Sequence, residues 1–298
     1  MTRAAVLIVL AAIAGARAQQ PAFKVQTELV RIDVLVERNG NPVAGLTAND
    51  FTVEDNGVRQ RVTLLPATGI VTFATVLDVS GSMTPRKLQN AEAGVRAVRA
   101  ALHDRDHQAL YAFAGGIRQI ALPAGRDSVA VESIAKALRE TGGTHTSLQD
   151  ALFAAIVQTD VEPGPKVAAV LTDGRNNTSW LGAQSVIDAA TRHETVIYPV
   201  AVRDDSPQYP FGVPPMAVDN GLRLLQVIAD RTGGRLIHAD WSRDLAPVFD
   251  ALVREYRQRY VLGFTPERVA SGDGWHRLEV RLRNKPGKVH ARSGYWSR

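Results

Sequence analysis

Ile70-Val-Thr-Phe-Ala-Thr-Val-Leu-Asp78-Val-Ser80-Gly-Ser82-Met83 is the stretch on which the reading of this chain turns. Apolar and β-branched residues fill positions 70 to 77, with Gly69 before them and Gly81 after. That composition fits a strand buried on both faces of a parallel sheet. Asp78 falls where such a strand ends, and Ser80 and Ser82 follow at every second position. One turn can then aim a carboxylate and two hydroxyls at a common point. All three are hard oxygen donors, suited to Mg²⁺ rather than to a soft metal. Alone, the segment is equally well read as a strand followed by a polar turn.

Two later segments add to it. Lys166-Val-Ala-Ala-Val-Leu-Thr172-Asp173-Gly174 is a second short apolar strand ending in a carboxylate. Between the two lies Thr141-Gly142-Gly143-Thr144-His145-Thr146-Ser147-Leu148-Gln149-Asp150-Ala151, a Gly-rich loop with hydroxyls that opens a helix. Asp-x-Ser-x-Ser, a loop Thr and a strand-end Asp, in this order, resemble the metal-ion-dependent adhesion site (MIDAS) of the von Willebrand factor type A domain. The resemblance implies that Ser80, Ser82 and a loop Thr touch the metal, with Asp78 and Asp173 acting mainly through water. Thr146 is preferred over Thr144 because it stands four residues before Asp150, in register with the following helix; Thr144 directly follows the glycine pair. The other Thr then serves as a helix cap or loop hydrogen-bonder. His145 is expected to be an exposed loop residue. Neutral hydroxyls leave much of the cation's charge uncompensated, and Mg²⁺ keeps waters that a partner's Asp or Glu can replace. Mn²⁺ and Ca²⁺ are the alternative cations.

Composition agrees with a soluble globular protein: 298 residues, 45% hydrophobic and 22% charged. There are no cysteines, which excludes disulfides and thiolate metal sites. Residues 1–18 read as a signal peptide, with Arg3, an apolar run from Ala4 to Gly15, and small residues at Ala16 and Ala18. No other stretch is long and apolar enough for a membrane helix. Without Arg3 and Arg17 the net charge falls from +5 to +3, too mild to argue for nucleic acid.

Residues 22–66 read as a small antiparallel β unit. Val30, Ile32, Val34 and Val36 alternate with polar residues, Leu35 being the exception, and Asn39-Gly40 and Asn56-Gly57 are hairpin turns. Strands are expected at Phe51 to Asp55 and Arg59 to Leu65. Residues 69–259 alternate strands with helices, which implies a doubly wound, mostly parallel α/β sheet. Helices are expected from Leu88, Asp127, Ser147, Ala183, Leu222 and Arg243, a short edge strand at Ile120 to Leu122, and an irregularity at Pro199 within the strand Thr195 to Val202. Residues 260–298 return to strands: Tyr260 to Phe264, His276 to Leu282 and Lys288 to Trp296. Neither β end has enough apolar surface for a core of its own. The two are expected to pair into one small β-sandwich in which the α/β domain is inserted. Val30 to Val36, Pro42 to Leu46, Asp50 to Val53, Tyr260 to Pro266 and Val289 to Tyr295 resemble the ends of the bacterial exported proteins related to this domain.

Asp204 to Asn220 reads as a long irregular loop with Pro207, Pro210, Pro214 and Pro215. It follows a strand of the sheet, so Tyr209 and Phe211 are candidate partner contacts on the Asp78 face. Trp180 is a third candidate, or else covers the helix behind it. The function expected is an exported, periplasmic or secreted, protein-binding module without catalysis, its partner presenting Asp or Glu. Two other readings compete. A Mg²⁺-dependent phosphohydrolase with Asp78 as nucleophile lacks the second Asp that such families place at position 80, which here is Ser. A structural envelope protein with a vestigial site would not need the full ligand set. A serine hydrolase is weaker still, because Val79-Ser80-Gly81 lacks the Gly-x-Ser-x-Gly elbow.

Overall fold

The computed structural model describes residues 29–67, 69–81, 83–120, 140, 143–159, 164–203, 215–240, 243–266 and 274–297. The N-terminal part supplies β1 (Val30–Arg38), β2 (Asn41–Pro42), β3 (Phe51–Asp55), β4 (Val58–Gln60) and β5 (Thr63–Leu65). Then follow β6 (Thr72–Asp78), α1 (Pro85–Ala101), β7 (His107–Phe113), β8 (Ile117–Ile120), α2 (Leu148–Thr159), β9 (Lys166–Thr172), α3 (Ala183–Arg192), β10 (Val196–Arg203), α4 (Pro215–Thr232), β11 (Ile237–Asp240) and α5 (Ala246–Arg257). The chain ends with β12 (Tyr260–Phe264), β13 (Trp275–Leu282), β14 (Lys288–His290) and β15 (Gly294–Trp296).

The central sheet has the order β11-β10-β9-β6-β7-β8, parallel except for β8, which runs antiparallel on the edge. Every residue of β6 is buried, as its run of apolar and β-branched residues leads one to expect. Its side chains alternate between two cores. Phe73 and Leu77 join Val95 of α1 and Phe249 of α5 on one face. Ala74 and Val76 join Leu152 of α2 and Leu225 of α4 on the other. Within the first layer α1 and α5 pack so closely that a Cβ on Gly94 would lie 2.6 Å from the Phe249 ring. Strand order reverses at β6, which lies between β7 and β9, so the crevice for a ligand opens beyond the carboxyl ends of β6 and β9.

Two smaller sheets each draw strands from both ends of the chain. One has the order β14-β1-β12-β5, with β2 added to β1; the other is β15-β13-β3-β4. Ile32 pairs with Leu262, and Val53 with Val280. Ile32, Val34, Phe51, Val53, Leu262, Phe264 and Leu278 belong to one apolar cluster. Leu35, the residue out of step with the alternation, is buried where β1 passes from pairing with β12 to pairing with β14. Asn39-Gly40 and Asn56-Gly57 both adopt positive φ, the backbone of tight hairpin turns. A buried polar network also spans both ends. Asp55 Oδ1 lies 3.0 Å from His276 Nδ1, and the Tyr295 hydroxyl donates to Asp55 Oδ2 at 2.7 Å.

Several expectations need correction. Arg59 to Leu65 is two strands: β4 pairs with β3, and β5 with β12 in the other sheet. Lys288 to Trp296 likewise divides into β14, on β1, and β15, on β13. A chain that changes sheets at a corner keeps its alternation, so the pattern does not reveal the crossing. The strand expected at Ile120 to Leu122 begins earlier, at Ile117, as an edge hairpin partner of β7. No irregularity interrupts β10 at Pro199, because pairing with β11 begins only at Val200 and leaves Pro199 without that neighbour. The loop expected over Asp204 to Asn220 is cut short by α4, which starts at Pro215. Proline is tolerated there because the first-turn N–H groups have no helical partner. The helix expected from Asp127 and the signal segment lie outside the described residues. Among the described residues no helix is long and apolar enough to cross a membrane.

Candidate metal centre

The end of β6 delivers Asp78 into the crevice, where it is 1% exposed. The Ser80 N–H donates to its Oδ1 at 3.0 Å, and the Thr172 hydroxyl donates to its Oδ2 at 2.8 Å. Thr172 is the last residue of β9, so the two strand ends are tied directly. Its Oγ1 also accepts the Gly174 N–H at 3.0 Å. Gly174 takes φ +83°, turning the chain sharply just after Asp173. Asp173 is held at both oxygens by Arg175: the backbone N–H donates to Oδ1 at 3.0 Å, and the guanidinium Nε lies 3.3 Å from Oδ2.

The third loop is drawn in by backbone contacts. Ser80 forms a one-residue parallel bridge with Gly143. A Cβ on Gly81 would lie 3.4 Å from the Gly143 carbonyl, so the two loops touch. The Ser147 N–H donates to the Ala114 carbonyl at 2.7 Å, anchoring the start of α2 to the end of β7. Thr146 is 3% exposed, whereas Thr144 and His145 are exposed. The structure therefore brings Asp78, Ser80, Thr146 and Asp173 to one crevice, with Thr144 at its rim. Ser82 lies outside the described residues, as do Tyr209 and Phe211.

A second set of residues, which sequence reasoning passed over, holds this arrangement. The polar run Asn176 to Ser179 follows Asp173 and clamps the N-terminus of α2. Asn177 Oδ1 accepts the Thr146 N–H at 2.7 Å, and the Asn177 N–H donates back to the Thr146 carbonyl at 2.9 Å. Asn176 Oδ1 accepts the Leu148 N–H at 3.0 Å, and Ser179 Oγ accepts the Gln149 N–H at 3.0 Å. These satisfy first-turn donors that a helix leaves open. In return the Asp150 carboxylate accepts the Trp180 and Leu181 N–H groups. The signal was present in the sequence as four successive capping-type residues beside a strand-end Asp. The indole of Trp180 is 96% exposed, so it covers no helix; only its backbone is pinned.

The electrostatics favour a cation. Burial first, and then the neighbouring Asp173 charge, push the Asp78 carboxyl up to about 6, against the hydrogen bonds from Ser80 and Thr172 that pull it down. A buried carboxylate with a second negative charge beside it is relieved by a positive ion placed nearby. The other donors are neutral hydroxyls. Among the described residues no group of three or more His, Cys, Asp or Glu is placed to hold a metal. An all-oxygen donor set of this kind fits a hard divalent cation.

Residues 73–211 match the von Willebrand factor type A domain family. Three solved structures illustrate the likeness. The protein titled von Willebrand factor type A from Catenulispora acidiphila is 15% identical, with 88% of this chain and 75% of that chain covered and a TM-score of 0.48. The conserved hypothetical protein BatB from Bacteroides thetaiotaomicron is 18% identical, with 63% and 97% covered and a TM-score of 0.45. Proximal thread matrix protein 1 from the mussel byssus, in a form with a zinc-occupied MIDAS motif, is 17% identical, with 67% and 48% covered and a TM-score of 0.48. No curated protein matches the chain.

Proposed function

We propose, on the premise that residues 73–211 form a von Willebrand factor type A domain, that the protein is a non-catalytic, metal-dependent protein-binding module. Asp78, Ser80, Ser82, Thr146 and Asp173 would hold one Mg²⁺ or a similar hard cation. The observation that carries this reading is the Asp78 carboxylate, hydrogen-bonded across to β9 and raised first by burial and then by Asp173, in the crevice where strand order reverses. Thr146 is favoured over Thr144 as the loop ligand because it is buried and its backbone is fixed at both N–H and carbonyl by Asn177. The bound cation would supply a Lewis-acidic coordination position. The chain's own groups would orient it, while the hydroxyl-rich ligand set leaves charge for a partner's Asp or Glu to neutralise.

Trp180 would serve as an aromatic anchor beside that crevice, a reading supported by its exposure to solvent and its backbone bond to Asp150. Tyr209 and Phe211 would extend the same surface. Residues 1–18 would direct export, to the periplasm or beyond. The two end sheets would form one sandwich of residues 22–66 and 260–298, a reading supported by their shared apolar cluster. The test is capture from an envelope extract with Mg²⁺ and with chelator, using the parental protein, Asp78→Ala, and Tyr209→Ser with Phe211→Ser. The reading requires one partner whose capture is lost with chelator and with Asp78→Ala, and weakened by the aromatic pair. A partner retained equally by all four preparations would refute it.

A further inference from the structure

At the opposite end of the central sheet from Asp78, the amino ends of β6 and β9 meet the end sheets around a cavity of about 220 Å³. Both connections between the two parts of the chain border it: Ala67 and Gly69 on the way into β6, and Arg257 to Val261 on the way out of α5. Its charged lining is unbalanced. Arg31, Arg257 and Arg259 face it together with His103, against Asp33 as the lining acid. Tyr256 and Val261 give it an apolar wall.

Each guanidinium keeps donor capacity that no carboxylate takes up. Arg259 is 5% exposed, yet among the described residues its hydrogen-bond partners are neutral oxygens. Nε and Nη2 donate to the Tyr198 hydroxyl, Nη2 also to the Gly233 carbonyl, and Nη1 only weakly to the Asp33 carbonyl at 3.4 Å. The Asp33 carboxylate acts on it through space rather than by contact, and a buried cation that touches no carboxylate gains from an anion beside it. Arg257 pairs through Nη2 with Asp106, and its Nε meets no acceptor among the described residues. Arg31 is held only loosely, 3.8 Å from Asp33. The planar fork of arginine matches the oxygens of a carboxylate or a phosphate. The volume lies below the roughly 300–1,000 Å³ of drug-sized ligand sites.

We infer that this junction cavity binds a small oxyanion, a carboxylate or a phosphate, through Arg31, Arg257 and Arg259, and that occupation ties the end sheets to the α/β domain. This site is separate from the metal centre and does not depend on its assignment. The test uses the full chain in metal-free buffer prepared without a chelating anion. Sodium phosphate and sodium benzoate are titrated calorimetrically, with melting followed in parallel and sodium chloride as the control at equal ionic strength. Saturable one-site binding is expected for at least one probe at millimolar concentration, with a melting temperature raised above the chloride control. Binding by phosphate alone identifies a phosphate site, and binding by benzoate alone a carboxylate site. Arg31→Glu should weaken the bound probe about tenfold or more by reversing a charge at the cavity wall, while Arg31→Lys should retain most of the affinity. His103→Glu, at an exposed position, should weaken it as well, and serves if Arg31→Glu does not melt cooperatively. Binding no stronger than chloride for both probes, or affinity that both charge reversals leave unchanged, overturns the inference.

Discussion

Asn177→Ala isolates the clamp that positions the loop threonine. The Asn177 side chain is exposed, so its loss opens no cavity, but its Oδ1 accepts the N–H of the buried Thr146 at 2.7 Å. Removing that acceptor leaves a buried backbone donor unmet, which costs about 1–3 kcal/mol. The return bond from the Asn177 N–H to the Thr146 carbonyl belongs to the backbone and survives the substitution. For a domain of this size, about 2 kcal/mol corresponds to a melting temperature lower by roughly 4–8 °C. If the loop is the element that loosens, the same energy is withdrawn from metal binding, and a loss of 1 kcal/mol already weakens it about fivefold. The assay is differential scanning calorimetry of the apo protein with a Mn²⁺ titration of each variant. Asn177→Asp, which keeps an acceptor at the same position, should stay near the parental melting temperature. An Asn177→Ala protein with parental melting and parental metal affinity would refute the idea that this clamp supports the site.

Two further outcomes concern the chain ends. Asp55→Ala removes the shared partner of His276 and Tyr295 in a fully buried network, and should destabilise the protein by about 3 kcal/mol, read from the urea midpoint. A midpoint within error of the parent would show that the network contributes nothing. Deleting residues 260–298 removes β12, which pairs along β1, and β13, which pairs along β3. Amide protons of β1 and β3 should then exchange near the unprotected rate, and retained protection would contradict a shared core.

The central strands were legible in the sequence because their signals are local. An unbroken apolar run ending in Asp marks β6 and β9, and the helical period of Ala91, Val95 and Val98 marks α1. The carboxylates and serine of the crevice could be singled out because the residue types and their order carry the chemistry. What escaped was set by tertiary pairing. Nothing local at Arg61-Val62 or Ala291 to Ser293 shows that the chain is changing sheets. Thr172 read as one more β-branched strand residue, and its role as donor to Asp78 emerges only from the parallel register of β6 and β9. Asn176 to Ser179 are capping-type residues in sequence, but the helix end they cap lies about thirty residues earlier in the chain and is identified only by the fold. Arg259 could not be distinguished from the exposed basic residues near it until Tyr198 was placed beside it.

The claim on which the functional reading rests is that the crevice at the ends of β6 and β9 holds a divalent cation through its oxygen side chains. Isothermal titration of the purified chain with Mg²⁺ and with Mn²⁺, beside Asp78→Ala and with circular dichroism to verify that the variant is folded, tests it most directly. The account predicts saturable binding of one cation per parental chain and its loss in the folded variant. Equal affinity in the two proteins, or no binding by the parent, would contradict it.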